Sequence, residues 1–128
     1  MAPPVEIAVN ELRAAFAGHR VETQADGQGG AFVVIDGLPL GDLYVQDESW
    51  MGFHITYLYP AADVYPHYVR PDLTRRDGQP LGPGFSATTW PHVGPAMQLS
   101  RRSNRRDVAY DSATFKAHRV LDWIRAPK

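Results

Sequence analysis

The sequence predicts an α+β domain: a helix, a group of antiparallel strands, a long proline-rich excursion and a closing helix. Three features predict it. Apolar residues recur at helical spacing near both ends of the chain. Much of the first half alternates apolar and polar residues with the period of a strand. The strands are grouped between helices instead of alternating with them, which favours helices packed on one sheet face over βαβ units. The 128 residues fit one domain, read as 1–128.

Val5, Ala8, Val9, Leu12, Ala15 and Phe16 share one helical face, with Pro3 and Pro4 ahead and Gly18 behind. Proline before and glycine after are start and stop signals, so residues 5–17 are predicted as a helix. Residues 19–25 form a short strand around Val21 and Thr23. The Asp26-Gly27-Gln28-Gly29-Gly30 stretch is a turn, and Ala31–Ile35 is a β-branched and aromatic strand ended by Asp36-Gly37. Residues 50–59 alternate, with Phe53, Ile55, Tyr57 and Tyr59 on one face and His54 and Thr56 on the other. These segments predict an antiparallel meander with one face buried.

From Tyr59 to Pro95 the chain holds seven prolines and four glycines. Proline lacks the amide donor a ladder needs, so this stretch is predicted as a long ordered excursion with one short strand near 67–69. Its aromatics, Tyr59, Tyr65, Tyr68, Phe85 and Trp90, predict packing against the body. A loop of this length in a small domain points to function. Asp111 or Ser112 can cap a second helix. Ala113, Ala117, Val120, Leu121 and Ile124 form its apolar face, Trp123 lies at the edge, and Pro127 marks the end.

Composition limits the chemistry. Hydrophobic residues make up 44% of the chain, enough for a core. No apolar run is long enough to span a bilayer, and the start shows no signal-peptide pattern, so a cytoplasmic location and no membrane contact are expected. The formal net charge of −1 gives no general attraction to nucleic acid. The charge is nevertheless uneven: Arg101, Arg102, Arg105 and Arg106 form a basic patch suited to an acidic partner or to a solvated loop. Cysteine is absent, which excludes thiolate nucleophiles and thiolate metal sites. The five histidines show no compact ligand spacing, and the glycines at 27–30 do not precede a helix, so neither metal nor cofactor is expected.

Several stretches, taken in order, resemble a divergent prokaryotic ubiquitin-conjugating-like family. They are Phe53 to Pro60 with its Tyr59-Pro60 exit, Tyr65-Pro66, Pro71-Asp72-Leu73, Asp77-Gly78, Met97-Gln98-Leu99-Ser100-Arg101-Arg102, and Asp111-Ser112 before the last helix. The resemblance implies the ubiquitin-conjugating fold: an N-terminal helix, an antiparallel four-stranded meander, a long proline-rich active-site-like excursion and a C-terminal helix. It also implies a bacterial protein-modification pathway, of a kind found in anti-phage defence, with a ubiquitin-like protein and a ubiquitin-activating-like enzyme as partners. The chain departs from the family pattern at Met97, where tryptophan is usual, and at Arg102, where histidine is usual. It has no His-Pro-Asn triplet, the nearest sequence being Trp90-Pro91-His92.

In such a fold the nucleophile lies shortly before the closing helix, and the resemblance places it at 98–100. Ser100 is the hydroxyl there. It would carry an acyl group as an oxyester, with His92 as base or oxyanion orienter and Arg101 and Arg102 stabilising charge. Serine is a poor nucleophile without a base, and the structural reading of Ser100 is a residue that caps a turn or bonds to a nearby backbone amide. His92, His54 and His67 have structural or surface readings beside any functional one. In a non-catalytic adaptor, Tyr59, Tyr65, Trp90, Gln98 and Arg105 would line a partner-binding surface. A third reading is a small hydrolase or an unrelated α+β binding domain, and the hydrolase is weakened because Ser100 is not in a G-x-S-x-G elbow.

Overall fold

The computed structural model describes residues 1–102 and 111–128. Helix α1 spans Pro3–Ala15. Its two prolines sit in the first turn, where backbone N–H groups have no intrahelical acceptor, so they cost no hydrogen bond. Val5, Ala8, Val9 and Leu12 are buried. The six strands are β1 (Val21–Ala25), β2 (Ala31–Pro39), β3 (Glu48–Ile55), β4 (His67–Val69), β5 (Phe85–Trp90) and β6 (Gly94–Leu99), followed by α2 (Ala113–Arg125). They form one antiparallel sheet in the order β1-β2-β3-β4-β6-β5.

The α+β class, the flanking helices and the short strand at 67–69 agree with the sequence reading. The four-stranded meander is corrected to six strands. The strand predicted to reach Tyr59 ends at Ile55, leaving Tyr57 exposed and Tyr59 buried by a different route. The end of the excursion forms β5, the turn and the start of β6, which pair as a hairpin. Its prolines do not disrupt pairing because of where they fall. Pro91 lies in the turn between the two strands. Ser100 N–H donates to Gly84 O at 2.8 Å. That makes Gly84/Ser100, and every second pair from there, the hydrogen-bonded kind. Pro95, opposite Thr89, therefore faces away from β5, toward a side where pairing with β4 begins only at Met97.

The alternating side chains sort onto two faces. Val33, Phe53, His67, Leu99 and Phe85 stand in one row across the sheet, and Ile35, Met51, Val69 and Met97 in the next. This inner face shares one core with both helices, including Leu12, Phe16, Ala117 and Ile124. Tyr44, in the β2–β3 connection, is fully buried and donates its hydroxyl proton to Ile124 O at 2.7 Å. That carbonyl is in the last turn of α2 and would otherwise lack an acceptor role within the helix. Burial pushes the Tyr44 phenol up to about 12. Tyr44→Phe is expected to cost about 1–2 kcal/mol, read as a lower urea midpoint at unchanged slope.

The outer face has its own cluster: Val34, Trp90 and Ala96, with Phe32, Trp50 and Tyr68 against them. β5 lies four strand positions from β2, a distance of roughly 19 Å at about 4.8 Å per strand. Yet His92, in the β5–β6 turn, stacks on Phe32 of β2 at 4.6 Å, and Trp90 stacks on Tyr68 at 4.7 Å. The tip of the hairpin must therefore bend across the sheet. It is free to do so because only Met97–Leu99 of β6 pair with β4. No helix among the described residues is long and apolar enough to cross a membrane.

Candidate functional site

The most chemically distinctive surface lies where the chain leaves β6 beside α2. Arg101, Arg102, Lys116, Arg119, Val120 and Trp123 line a small groove of about 70 Å³. β6 ends at Leu99, so Arg101 and Arg102 emerge together from the sheet. Lys116, Arg119, Val120 and Trp123 come from successive turns of α2, at spacings that bring them to one side of the helix. Ser112 caps α2 by accepting from Phe115 N at 3.0 Å, which fixes where those turns begin.

The cations are held in different ways. Lys116 is buried and donates to Asp63 Oδ2 at 2.9 Å. Arg119 lies 3.8 Å from Asp111 and stacks over Phe115. Arg101 lies 5.1 Å over the Trp123 ring and Arg102 lies 4.1 Å over Tyr65. Neither of those two guanidinium groups pairs with a carboxylate among the described residues. Their ring faces orient them and leave the planar N–H edges for an incoming acceptor. Lys128 also sits over Trp123, at 4.6 Å. Its ammonium is held below the usual lysine range by burial, with the positive Arg101 and Arg75 adding to the effect. The region thus concentrates positive charge around an indole.

Ser100 lies at this exit, but its side chain keeps different company. Its Oγ accepts from Gln98 Nε2 at 3.3 Å, on the outer face. No imidazole or carboxylate reaches it among the described residues. His92 is at the opposite end of the hairpin, roughly 20 Å away along a six-residue strand. There it stacks on Phe32. The structure therefore does not bring His92 and Ser100 together, and it separates Trp90 from Tyr59 and Tyr65. Trp90 is buried in the outer cluster. Tyr59 is in the main core, where its hydroxyl accepts from Ala113 N at 3.1 Å and so helps to satisfy the start of α2. Tyr65 contributes through Arg102. Arg105 lies outside the described residues.

Sequence reasoning missed Trp123, Lys116 and Arg119 as members of one basic groove. Their spacing on α2 was visible, but not that this side faces the exit of β6. It also missed a pair on the outer face: His54 Nε2 lies 2.7 Å from Asp26 Oδ2, while Asp26 Oδ1 accepts from Gln28 and Gly30 N–H. The His54 and Gln28 hydrogen bonds hold the Asp26 carboxyl below its usual range. A larger, open cleft of about 670 Å³ is lined by Asp36, Glu48, Trp50, Arg70 and Asp72 among others. Arg70 and Asp72 satisfy each other there through bonds of 2.6 and 2.8 Å, which leaves less unmet charge than at Arg101 and Arg102. No group of three or more metal-ligating side chains occurs among the described residues.

No protein-family model matches the chain, and no curated protein or solved structure matches it. Its own residues and geometry therefore carry the functional reading.

Proposed function

We propose that the chain is a binding module of the ubiquitin-conjugating-like kind. In this reading it holds a ubiquitin-like protein or its activating enzyme by an acidic surface or carboxylate seated on the Arg101–Trp123 groove. The observation that carries the proposal is the pair of guanidinium groups held over aromatic rings without a carboxylate partner among the described residues. The order of elements, and the Tyr59-Pro60 and Tyr65-Pro66 segments before the basic exit, add support. An acyl-carrying Ser100 has less support. A serine nucleophile needs a base within hydrogen-bond reach, and Ser100 meets the Gln98 amide instead.

The test is to mix the protein with a ubiquitin-like protein and a ubiquitin-activating-like enzyme from the same organism, together with ATP. The expected product is a non-covalent complex weakened by salt, and by Arg101→Glu with Arg102→Glu at least about tenfold. Intact-mass spectrometry should show no covalent adduct, and Ser100→Ala should bind as the parent does. An adduct that maps to Ser100 and is lost in Ser100→Ala would overturn this reading in favour of an oxyester-forming transferase.

A further inference from the structure

β5 is the last strand of the sheet, and its outward edge has no partner strand among the described residues. The same pairing that places Gly84, Ser86, Thr88 and Trp90 in hydrogen-bonded positions against β6 turns the N–H and C=O groups of Phe85, Ala87 and Thr89 outward. None of these outward groups bonds to a described residue. Proteins usually protect such an edge with charge, proline or a covering segment. Phe85-Ser86-Ala87-Thr88-Thr89-Trp90 carries neither a charge nor a proline, and Ser86, Ala87 and Thr89 are exposed.

The edge also leads to the groove. Phe85 stacks on Trp123 at 5.0 Å, and Arg101 lies 5.1 Å over the same ring. A strand added antiparallel to β5 runs from the Trp90 end toward the Phe85 end. Its last residues therefore arrive at the Phe85 end, next to Trp123 and Arg101, and Arg102 lines the same groove. A peptide added to an open edge gains main-chain hydrogen bonds along its length, and a terminal carboxylate matches the fork of a guanidinium group.

We infer that β5 and the basic groove together form one site for the extended carboxyl-terminal segment of a partner protein, which adds as a seventh strand and places its terminal carboxylate at Arg101 and Arg102. This rests on the binding reading above and specifies the part of the partner that is bound. The outward edge supplies affinity without regard to sequence. The positive groove sets direction, and it distinguishes a chain end from an internal loop. Lys116 and Arg119, already engaged with Asp63 and Asp111, add field instead of direct contacts.

The probe is a display library of random octapeptides with free carboxyl termini, selected on the full chain. Enriched peptides are expected to lose at least about tenfold in affinity when amidated at the carboxyl end. A similar loss is expected when alternate backbone nitrogens are methylated. Nuclear magnetic resonance should show new protection of the Phe85, Ala87 and Thr89 amides on binding. Ala87→Pro removes one outward donor without touching the β5–β6 ladder and should reduce binding while leaving the thermal midpoint nearly unchanged. Arg101→Glu should abolish the preference for a free over an amidated end.

Binding that depends on Arg101 but ignores Ala87→Pro and N-methylation would overturn strand addition and leave the groove as a simple acidic-partner site. Failure to enrich any peptide would overturn the inference. If the groove variants also fail to affect the complex described above, the binding reading falls with it. Concentration-dependent dimerisation abolished by Ala87→Pro would assign the edge to a second copy of this chain and likewise overturn the inference.

Discussion

Gly52→Ala is expected to lift the tip of the β5–β6 hairpin off the sheet and to cost about 1–3 kcal/mol. Gly52 lies in the middle of β3 on the outer face, opposite Val34 on one side and Tyr68 on the other. A Cβ built there would fall 2.8 Å from Cη2 of Trp90, closer still to Cζ3, and 3.2 Å from the Trp50 ring. The Trp90 ring cannot easily give way. It is stacked on Tyr68 at 4.7 Å, lies parallel to Trp50, and anchors the bend that carries His92 to Phe32. Glycine in a strand interior is otherwise unfavourable, so its presence marks a place where a ring needs the space of a missing side chain. Three indole N–H resonances are available, one for each tryptophan. That of Trp90 should move most, and amides at 88–96 should exchange faster. Once Trp90 is replaced by alanine, Gly52→Ala should cost little. An equal cost in both backgrounds would show that the glycine serves the backbone and not the ring.

The helices and the first strands were legible because their signals are local. Val5, Ala8 and Leu12 show a 3.6-residue period, Phe53-His54-Ile55 show a period of two, and Ser112 has the chemistry of a cap. The β5–β6 hairpin was not legible because its prolines were weighed by type and not by position. Pro91 falls in a turn and Pro95 faces an unpaired side, facts that depend on register with another strand. The site divides in the same way. Arg101 and Arg102 were visible as a basic run, but their assembly with Lys116, Arg119 and Trp123 requires knowing how α2 packs. Ser100 and His92 looked close because only seven residues lie between them. A hairpin strand between them converts that short separation into nearly the longest distance the motif allows.

Acidification should destabilise the fold through His67, by about 1.4 kcal/mol for each pH unit below about 6.5 until the folded-state titration is reached. His67 sits in the inner row between Phe53 and Leu99 and is fully buried. Neither ring nitrogen has a hydrogen-bond partner among the described residues. Its pKa falls to about 3, mainly because burial disfavours the charged ring, with the positive Lys116 lowering it further and Asp63 opposing. In the unfolded chain the imidazole titrates near 6.5. Between these values the unfolded state binds a proton that the folded state does not, so stability is full above 6.5 and declines as pH falls toward 3. His67→Leu should remove this part of the slope, since leucine keeps the volume and has nothing to protonate. It should also raise stability at pH 7 by about 1–3 kcal/mol, because two unsatisfied polar atoms leave the core. Urea unfolding of both proteins across this pH range reads both effects. A slope unchanged in His67→Leu would show that the acid sensitivity does not arise at this ring.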